Sequence, residues 1–387
     1  MSDIFEIDKQ YVANTYNRFP IDLVYGKGSI VKDSTGKEYI DMGSGIGVTA
    51  FGIQDNEWKL AIFEQLNSIQ HASNLYYTEP CAKLAKLLCE KTGFKKVFFG
   101  NSGAEANECA IKVARKYAED KGIKDSKIIT LKNSFHGRTL ATLAATGQDV
   151  FHQDFLPVVE GFIYGEANNI DSIKDLVNNN VVSAIMMECV QGEGGVIALN
   201  KDFVHEVYKL CQEKDILLII DEVQTGNGRT GKLYAYMNYD IIPDVVTTAK
   251  GLAGGLPMGA CLLNDKVQNT LTAGKHGSTF GGNPIAAAGA ISIISRLNED
   301  VLAKVVDKSN YAFKRLSQAE GIVSVSGMGL MIGIETKKDV KEVLSYCMEH
   351  GVLALTAKTK LRLLPALNIK DEDLEKAIDV IIEACKE

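Results

Sequence analysis

The sequence predicts an α/β protein: a large domain built on a mostly parallel sheet covered by helices, plus a smaller α/β domain. Three observations carry this. At 387 residues the chain exceeds what one hydrophobic core usually serves, so two packed domains are expected. Short runs apolar on both faces alternate with helical patterns through the middle, as in strand–helix–strand units. From about residue 300 the texture changes, with helices and strands mixed in a different rhythm.

In the middle, residues 96–99 read as a strand and 104–118 as a helix. Strands follow at 128–131 and 181–187, a helix near 202–213, then strands at 216–220, 245–248 and 260–263. Beyond residue 300 the pattern gives a helix over 301–318, strands at 322–326 and 330–335, another helix, strands near 352–355 and 361–364, and a last helix over 371–386. Strand-like pieces at 29–32 and 39–42 are expected to pack with this second domain or over the active site. The expected boundaries are an N-terminal segment over 1–50, a large domain over 51–297 and a small domain over 298–387.

The net charge of −7 argues against a nucleic-acid or anionic-membrane surface. The start, MSDIFEIDKQ, has no basic stretch followed by an apolar run, so no signal peptide is expected. The apolar run at 216–220 is far too short to span a bilayer. Eight cysteines lie scattered without a C-x-x-C pair, as reduced thiols of a cytoplasmic protein would. The six histidines show no metal-binding spacing, and no metal is expected.

Gly226-Asn227-Gly228-Arg229-Thr230-Gly231 fits the dinucleotide pattern G-x-G-x-x-G and follows a strand. That reading needs a helix to open at once. A short aromatic stretch follows instead, and Asp221 and Glu222 before the glycines would repel a pyrophosphate. The segment is not read as a dinucleotide site. Asn101-Ser102-Gly103-Ala104 is better placed, between a strand and a long helix. A helix start offers free N–H groups and a positive dipole end, which suits a phosphate. Ser102 could add its hydroxyl, and Gly103 lets a ligand approach the backbone. An ordinary N-cap at Asn101 or Ser102 reads equally well from this segment alone.

Asp221 closes the apolar run at 216–220, where ligands bind in open α/β sheets. A carboxylate there can pair with a cation such as a pyridinium nitrogen. It can also simply cap the next turn. Lys250 follows 29 positions later, ends a second apolar strand and is followed by small residues. Small neighbours leave room for a flat cofactor, and desolvation lowers a lysine's pKa toward imine chemistry. Anion cradle, strand-end Asp and strand-end Lys, in this order, describe the three anchors of pyridoxal 5′-phosphate (PLP): phosphate, ring nitrogen and aldehyde carbon.

The chain resembles the class III PLP-dependent aminotransferases, of fold type I, over nearly its whole length. The segments that carry the likeness are NSGAEANECAIKVARKY (101–117), SFHGRT (134–139), QGEGG (191–195), DEVQTGNGRTG (221–231), TTAKGLAGGLPMGA (247–260) and HGSTFGGNP (276–284). The resemblance implies that Lys250 is the Schiff-base lysine, Asp221 the partner of the ring nitrogen, and Gln224 that of the ring hydroxyl. Ser102, Gly103 and Ala104 would hold the phosphate, and Phe135 would stack on the ring. Thr279 would reach the phosphate of the partner subunit's cofactor, which implies a homodimer with shared sites. Arg138 would clamp the substrate carboxylate, with Ser278 a further substrate contact. Glu193 and Arg362 would form a movable pair. An acceptor with two carboxylates, 2-oxoglutarate, needs a second cation, while an amine donor without a second carboxylate needs that cation masked. A static structural pair is the competing reading.

The opening NTYNRFPI (14–21), the compact length and the tail LRLLPAL (361–367) resemble the branch whose donor is N²-acetyl-L-ornithine. Branches acting on succinyldiaminopimelate, ornithine or 4-aminobutyrate share the scaffold and stay open. A non-catalytic PLP-binding regulator would need a DNA-binding segment, and no basic helix-turn-helix extension is seen. The chain departs from the family pattern at Cys189, where a proline is common, at Asn227, where an aromatic is common, and over 52–55, which lacks a usual histidine-proline.

Overall fold

The structure, a computed structural model, describes residues 3–386. After a helix over Asp3–Tyr11 come three short antiparallel strands: β1 (Leu23–Lys27), β2 (Ile30–Asp33) and β3 (Glu38–Asp41). The middle of the chain carries β4 (Lys96–Gly100), β5 (Lys127–Leu131), β6 (Phe162–Gly165) and β7 (Val182–Met187). A small ribbon of β8 (Val190–Gln191) and β9 (Ile197–Ala198) follows, then β10 (Leu217–Asp221), β11 (Val245–Thr248) and β12 (Gly259–Leu263).

Seven of these strands form one sheet in the order β4-β12-β11-β10-β7-β5-β6. All neighbours run parallel except β12, which is antiparallel to both β11 and β4. The uninterrupted apolar run before Asp221 now has its reason. Side chains alternate across a sheet, and in β10 Leu217 and Ile219 pack into one helix-covered core while Leu218 and Ile220 pack into the other. A strand covered on both faces has no polar side to show. Burying each such side chain contributes about 1.5–3 kcal/mol.

The C-terminal part holds β13 (Ile322–Met328), β14 (Met331–Thr336), β15 (Val352–Leu353), β16 (Leu355–Ala357) and β17 (Lys360–Leu363). The run expected as one strand near 352–355 is divided: β15 pairs with β3 of the N-terminal sheet, whereas β16 pairs with β17. The chain changes sheets at the buried Ala354. Met42 joins the core of the C-terminal strands and helices, while Ala50 and Phe51 join the core of the seven-stranded sheet. Among the described residues no helix is long and apolar enough to cross a membrane.

Candidate active site

The helix Gly103–Asp120 starts at Ser102, whose extended backbone (φ −151°, ψ 164°) and hydroxyl, accepting from the Glu105 amide at 3.2 Å, make it the N-cap. Such a cap stabilises by about 0.5–2 kcal/mol. The next residue has to be glycine: a Cβ on Gly103 would lie 2.6 Å from Val223 Cγ1. The first N–H groups of a helix lack intrahelical acceptors and carry its positive end. Ser102, Gly103 and Ala104 line a cavity of about 420 Å³ at that start. Phe135, Arg138, Asp221, Gln224 and Lys250 line the same cavity, which lies at the carboxyl ends of β10 and β11.

Asp221 is 3% exposed; both lone pairs of Oδ2 are engaged, while Oδ1 has one left for a ring cation. Oδ2 accepts from Asn107 Nδ2 at 2.8 Å and lies 2.8 Å from His136 Nδ1, while Oδ1 accepts from the Val223 amide at 2.9 Å. Asn107 is held in turn by the His136 carbonyl, to which it donates at 2.7 Å, and by the Thr247 hydroxyl, which donates to Asn107 Oδ1 at 2.6 Å. Burial works against a charged His136 ring, but the hydrogen bond and charge of Asp221 outweigh it and raise the pKa above the ordinary histidine value.

Lys250 stands one residue beyond Ala249, which follows β11, in a left-handed conformation (φ 46°). Burial lowers its pKa from 10.5 to about 8, against the opposing pull of Glu193. Glu188, also at the cavity, accepts from the Phe135 amide at 2.9 Å and the Gly192 amide at 3.3 Å. Burial pushes its carboxyl up to about 7.

Glu193 and Arg362 meet behind Gln224. Arg362 Nη1 donates to Glu193 Oε1 at 2.6 Å and to Gln224 Oε1 at 3.2 Å, and Gln224 Nε2 donates to Glu193 Oε1 at 3.4 Å. Burial would raise the Glu193 pKa, but the Arg362 charge and hydrogen bond lower it below the usual value. Arg138 is exposed at the rim, its guanidinium 4.6 Å from the Phe151 ring centroid and 5.7 Å from that of Phe135. Ser278 does not line the cavity. Its hydroxyl accepts from Asn101 Nδ2 at 3.1 Å and from the Gly281 amide at 3.0 Å. Thr279 is exposed and does not line the cavity of its own chain.

Asn107, His136 and Glu188 were not singled out from the sequence. Asn107 left a signal: it is the one amide among Ala106, Cys109, Ala110, Ile111 and Val113 on the buried helix face. His136 and Glu188 gave none beyond lying inside or beside matched segments.

A helix start for a phosphate, a buried carboxylate for a ring cation and a desolvated lysine for an aldehyde suit PLP, and the missing Cβ at Gly103 keeps the cradle open. Fold and site together define a PLP-dependent enzyme of fold type I. The chain belongs to the class-III aminotransferases: the model of that family, Aminotransferase class-III, matches residues 11–385. The acetylornithine aminotransferase of Haemophilus ducreyi is 51% identical over 387 residues, covering 99% of this chain and 98% of the relative. The crystal structure of ornithine aminotransferase from Toxoplasma gondii superposes with a TM-score of 0.95 at 30% identity, over 99% of this chain and 94% of that one. That of N-acetylornithine aminotransferase from Stenotrophomonas maltophilia has a TM-score of 0.84 at 34% identity, over 98% of both chains. The enzyme is a PLP-dependent aminotransferase.

Proposed function

We propose that this enzyme moves the terminal amino group of N²-acetyl-L-ornithine to 2-oxoglutarate, giving N-acetyl-L-glutamate 5-semialdehyde and L-glutamate, a reaction of arginine biosynthesis. The observation that carries the reading is the unequal state of two arginines. Arg138 has no carboxylate partner among the described residues, whereas Arg362 is masked by Glu193. A donor carrying one carboxylate needs only the first. The full-length likeness to relatives bearing the acetylornithine name supports the same donor.

When bound, PLP supplies an aldehyde that condenses with amines and a ring that accepts the electrons released from the reacting carbon. The residues supply the rest. Ser102, Gly103 and Ala104 would hold the phosphate, Phe135 would pack against the ring, and Gln224 would meet the ring hydroxyl. Asp221, held by Asn107 and His136, would pair with the ring nitrogen and favour its protonated form. Lys250 would present its Nζ to the aldehyde, and the same Nζ, its pKa lowered by burial to about 8, would take the proton from the amine-bearing carbon of the donor. Arg138 would anchor the carboxylate of either substrate, Ser278 would act only through Asn101 at the cavity, and Arg362 would leave Glu193 to receive the second carboxylate of 2-oxoglutarate.

A homodimer with shared sites is part of this reading. Asn74 Nδ2 donates to the carbonyls of Ser278 and Gly281, each at 2.9 Å, so the turn bearing Leu75, Tyr76 and Tyr77 lies beside Thr279 and Phe280. These apolar side chains are exposed, Tyr77 completely, and a patch of that kind marks a contact surface. In the proposed dimer the partner covers it and Thr279 reaches the partner's phosphate. Residues 51–297 serve as the PLP-binding domain, and residues 1–50 with 298–387 as the unit that brings Arg362. The reading places the reaction in the cytoplasm. Measuring kcat/KM for acetylornithine, ornithine, succinyldiaminopimelate and 4-aminobutyrate with 2-oxoglutarate tests the donor. A preference for any of the last three would overturn it.

A further inference from the structure

Asn227 lies in the turn after β10 and is 3% exposed. Its Nδ2 donates to Thr248 Oγ1 and to the Ala249 carbonyl, both at 3.0 Å. These are the two residues before Lys250. The Ala249 carbonyl also accepts from the Leu252 amide at 2.9 Å, so both of its lone pairs are used. Lys250 then turns left-handed at φ 46°, a region that a long side chain seldom enters without support. Asn227 itself sits at φ 56°, where asparagine is among the few tolerated residues. Glycine would meet that backbone need at no steric cost. An asparagine here adds a buried amide whose Oδ1 has no partner among the described residues. Leaving a buried acceptor unpaired is costly. The other half of the amide is spent wholly on the segment that presents Lys250.

We propose that Asn227 is a positioning residue: its two N–H bonds, one to the Thr248 hydroxyl and one to the Ala249 carbonyl, fix the segment before Lys250 and so the direction in which Lys250 enters the cofactor cavity. No other side chain donates to the Ala249 carbonyl among the described residues. Gly251 leaves little slack on the far side, since a Cβ there would lie 3.4 Å from Asn227 Cβ and 3.3 Å from the Gly47 carbonyl oxygen. The inference rests on Lys250 being the lysine that joins PLP.

The test compares PLP-loaded wild type, Asn227→Gly and Asn227→Asp. Glycine keeps the left-handed turn and removes the amide. Aspartate keeps the shape and removes the donors. In both, kcat is expected to fall about ten- to a hundredfold with KM for both substrates within about twofold. The midpoint of the visible absorbance change on pH titration, which reports the Lys250–PLP linkage, is expected to move. A merely structural residue would lower the melting temperature and leave that midpoint in place. Unchanged kcat and midpoint in folded Asn227→Gly would overturn the proposal, and if that chain does not fold, the same readouts on Asn227→Asp decide. Borohydride reduction and peptide mapping of the wild type separates the two readings. Label on another lysine overturns both, and label on Lys250 with an unmoved midpoint overturns the role of Asn227 alone.

Discussion

Arg362 and Glu193 are joined by one hydrogen bond of 2.6 Å from Nη1, while Arg362 Nε is buried without a partner among the described residues. A guanidinium in a purely structural pair is usually held at both edges of its fork. Here one edge is spoken for and part of the donor set is idle, as expected of a group that must change partners. Arg362→Ala is therefore expected to spare donor deamination and to slow the 2-oxoglutarate half-reaction. Losing a desolvated charge-assisted contact costs about 2–5 kcal/mol, or roughly 30-fold to several-thousand-fold. Arg138→Ala is expected to impair both halves. Glu193→Gln frees Arg362 and should relax selectivity toward α-amino acids. Stopped-flow measurement of each half-reaction checks all three, and equal damage to both halves by Arg362→Ala would return the pair to a structural role.

Lys250→Ala is expected to bind PLP still, through the helix start and Asp221, and to lose nearly all turnover. Its spectrum should be that of the free aldehyde, and borohydride should no longer attach the cofactor to the chain. Retained covalent attachment would place the reactive lysine elsewhere.

Asp221→Asn is expected to slow proton abstraction on the order of 10²–10³-fold while weakening PLP binding far less. The amide would keep contact with the Val223 N–H but would set a donor against Asn107 and His136. Single-turnover kinetics reads the first effect and PLP titration the second. A wild-type rate of abstraction would remove Asp221 from the chemistry.

Mixing Lys250→Ala chains with Thr279→Ala chains tests the shared site. If Thr279 serves the opposite site, each mixed dimer holds one site free of both changes. Random exchange should then regain about a quarter of wild-type activity. A fully active monomer in sedimentation would contradict the arrangement.

The low Lys250 pKa also predicts a pH dependence of the cofactor-free enzyme. The folded chain releases the Lys250 proton near 8 and the unfolded chain near 10.5. Between these values the unfolded state binds more protons, so stability should rise with pH across that window. Denaturant unfolding at several pH values should show the rise, and Lys250→Met should flatten it. An identical slope in the variant would mean that Lys250 is solvated.

The central sheet was legible because its strands are covered on both faces and so appear as unbroken apolar runs. β6, with three half-buried positions at the sheet edge, gave no such run and was not read. Asp221 and Lys250 were visible as charged residues ending apolar strands. The division of 352–357 between two sheets was not visible, since pairing partners more than 300 residues away leave no local pattern. Glu193 and Arg362 lie 169 positions apart and were named only through the resemblance. The Asp221–His136–Asn107 cluster was missed for a similar reason: its members come from three segments, and only the fold brings their side chains to one carboxylate.

The pairing of β3 with β15 has a consequence for how the molecule is made. The Met42 amide donates to the Leu353 carbonyl, and the Met42 carbonyl accepts from the amide of Leu364, two residues beyond Arg362. On a ribosome adding about 5–20 residues per second, the first forty residues emerge tens of seconds before those partners exist. Through that interval β3 is expected to carry an open hydrogen-bonding edge, the kind of surface that invites wrong pairings and chaperone capture. Synthesis thus closes the N-terminal sheet and delivers Arg362 in the same late event. A nascent chain halted before residue 352 would lack both.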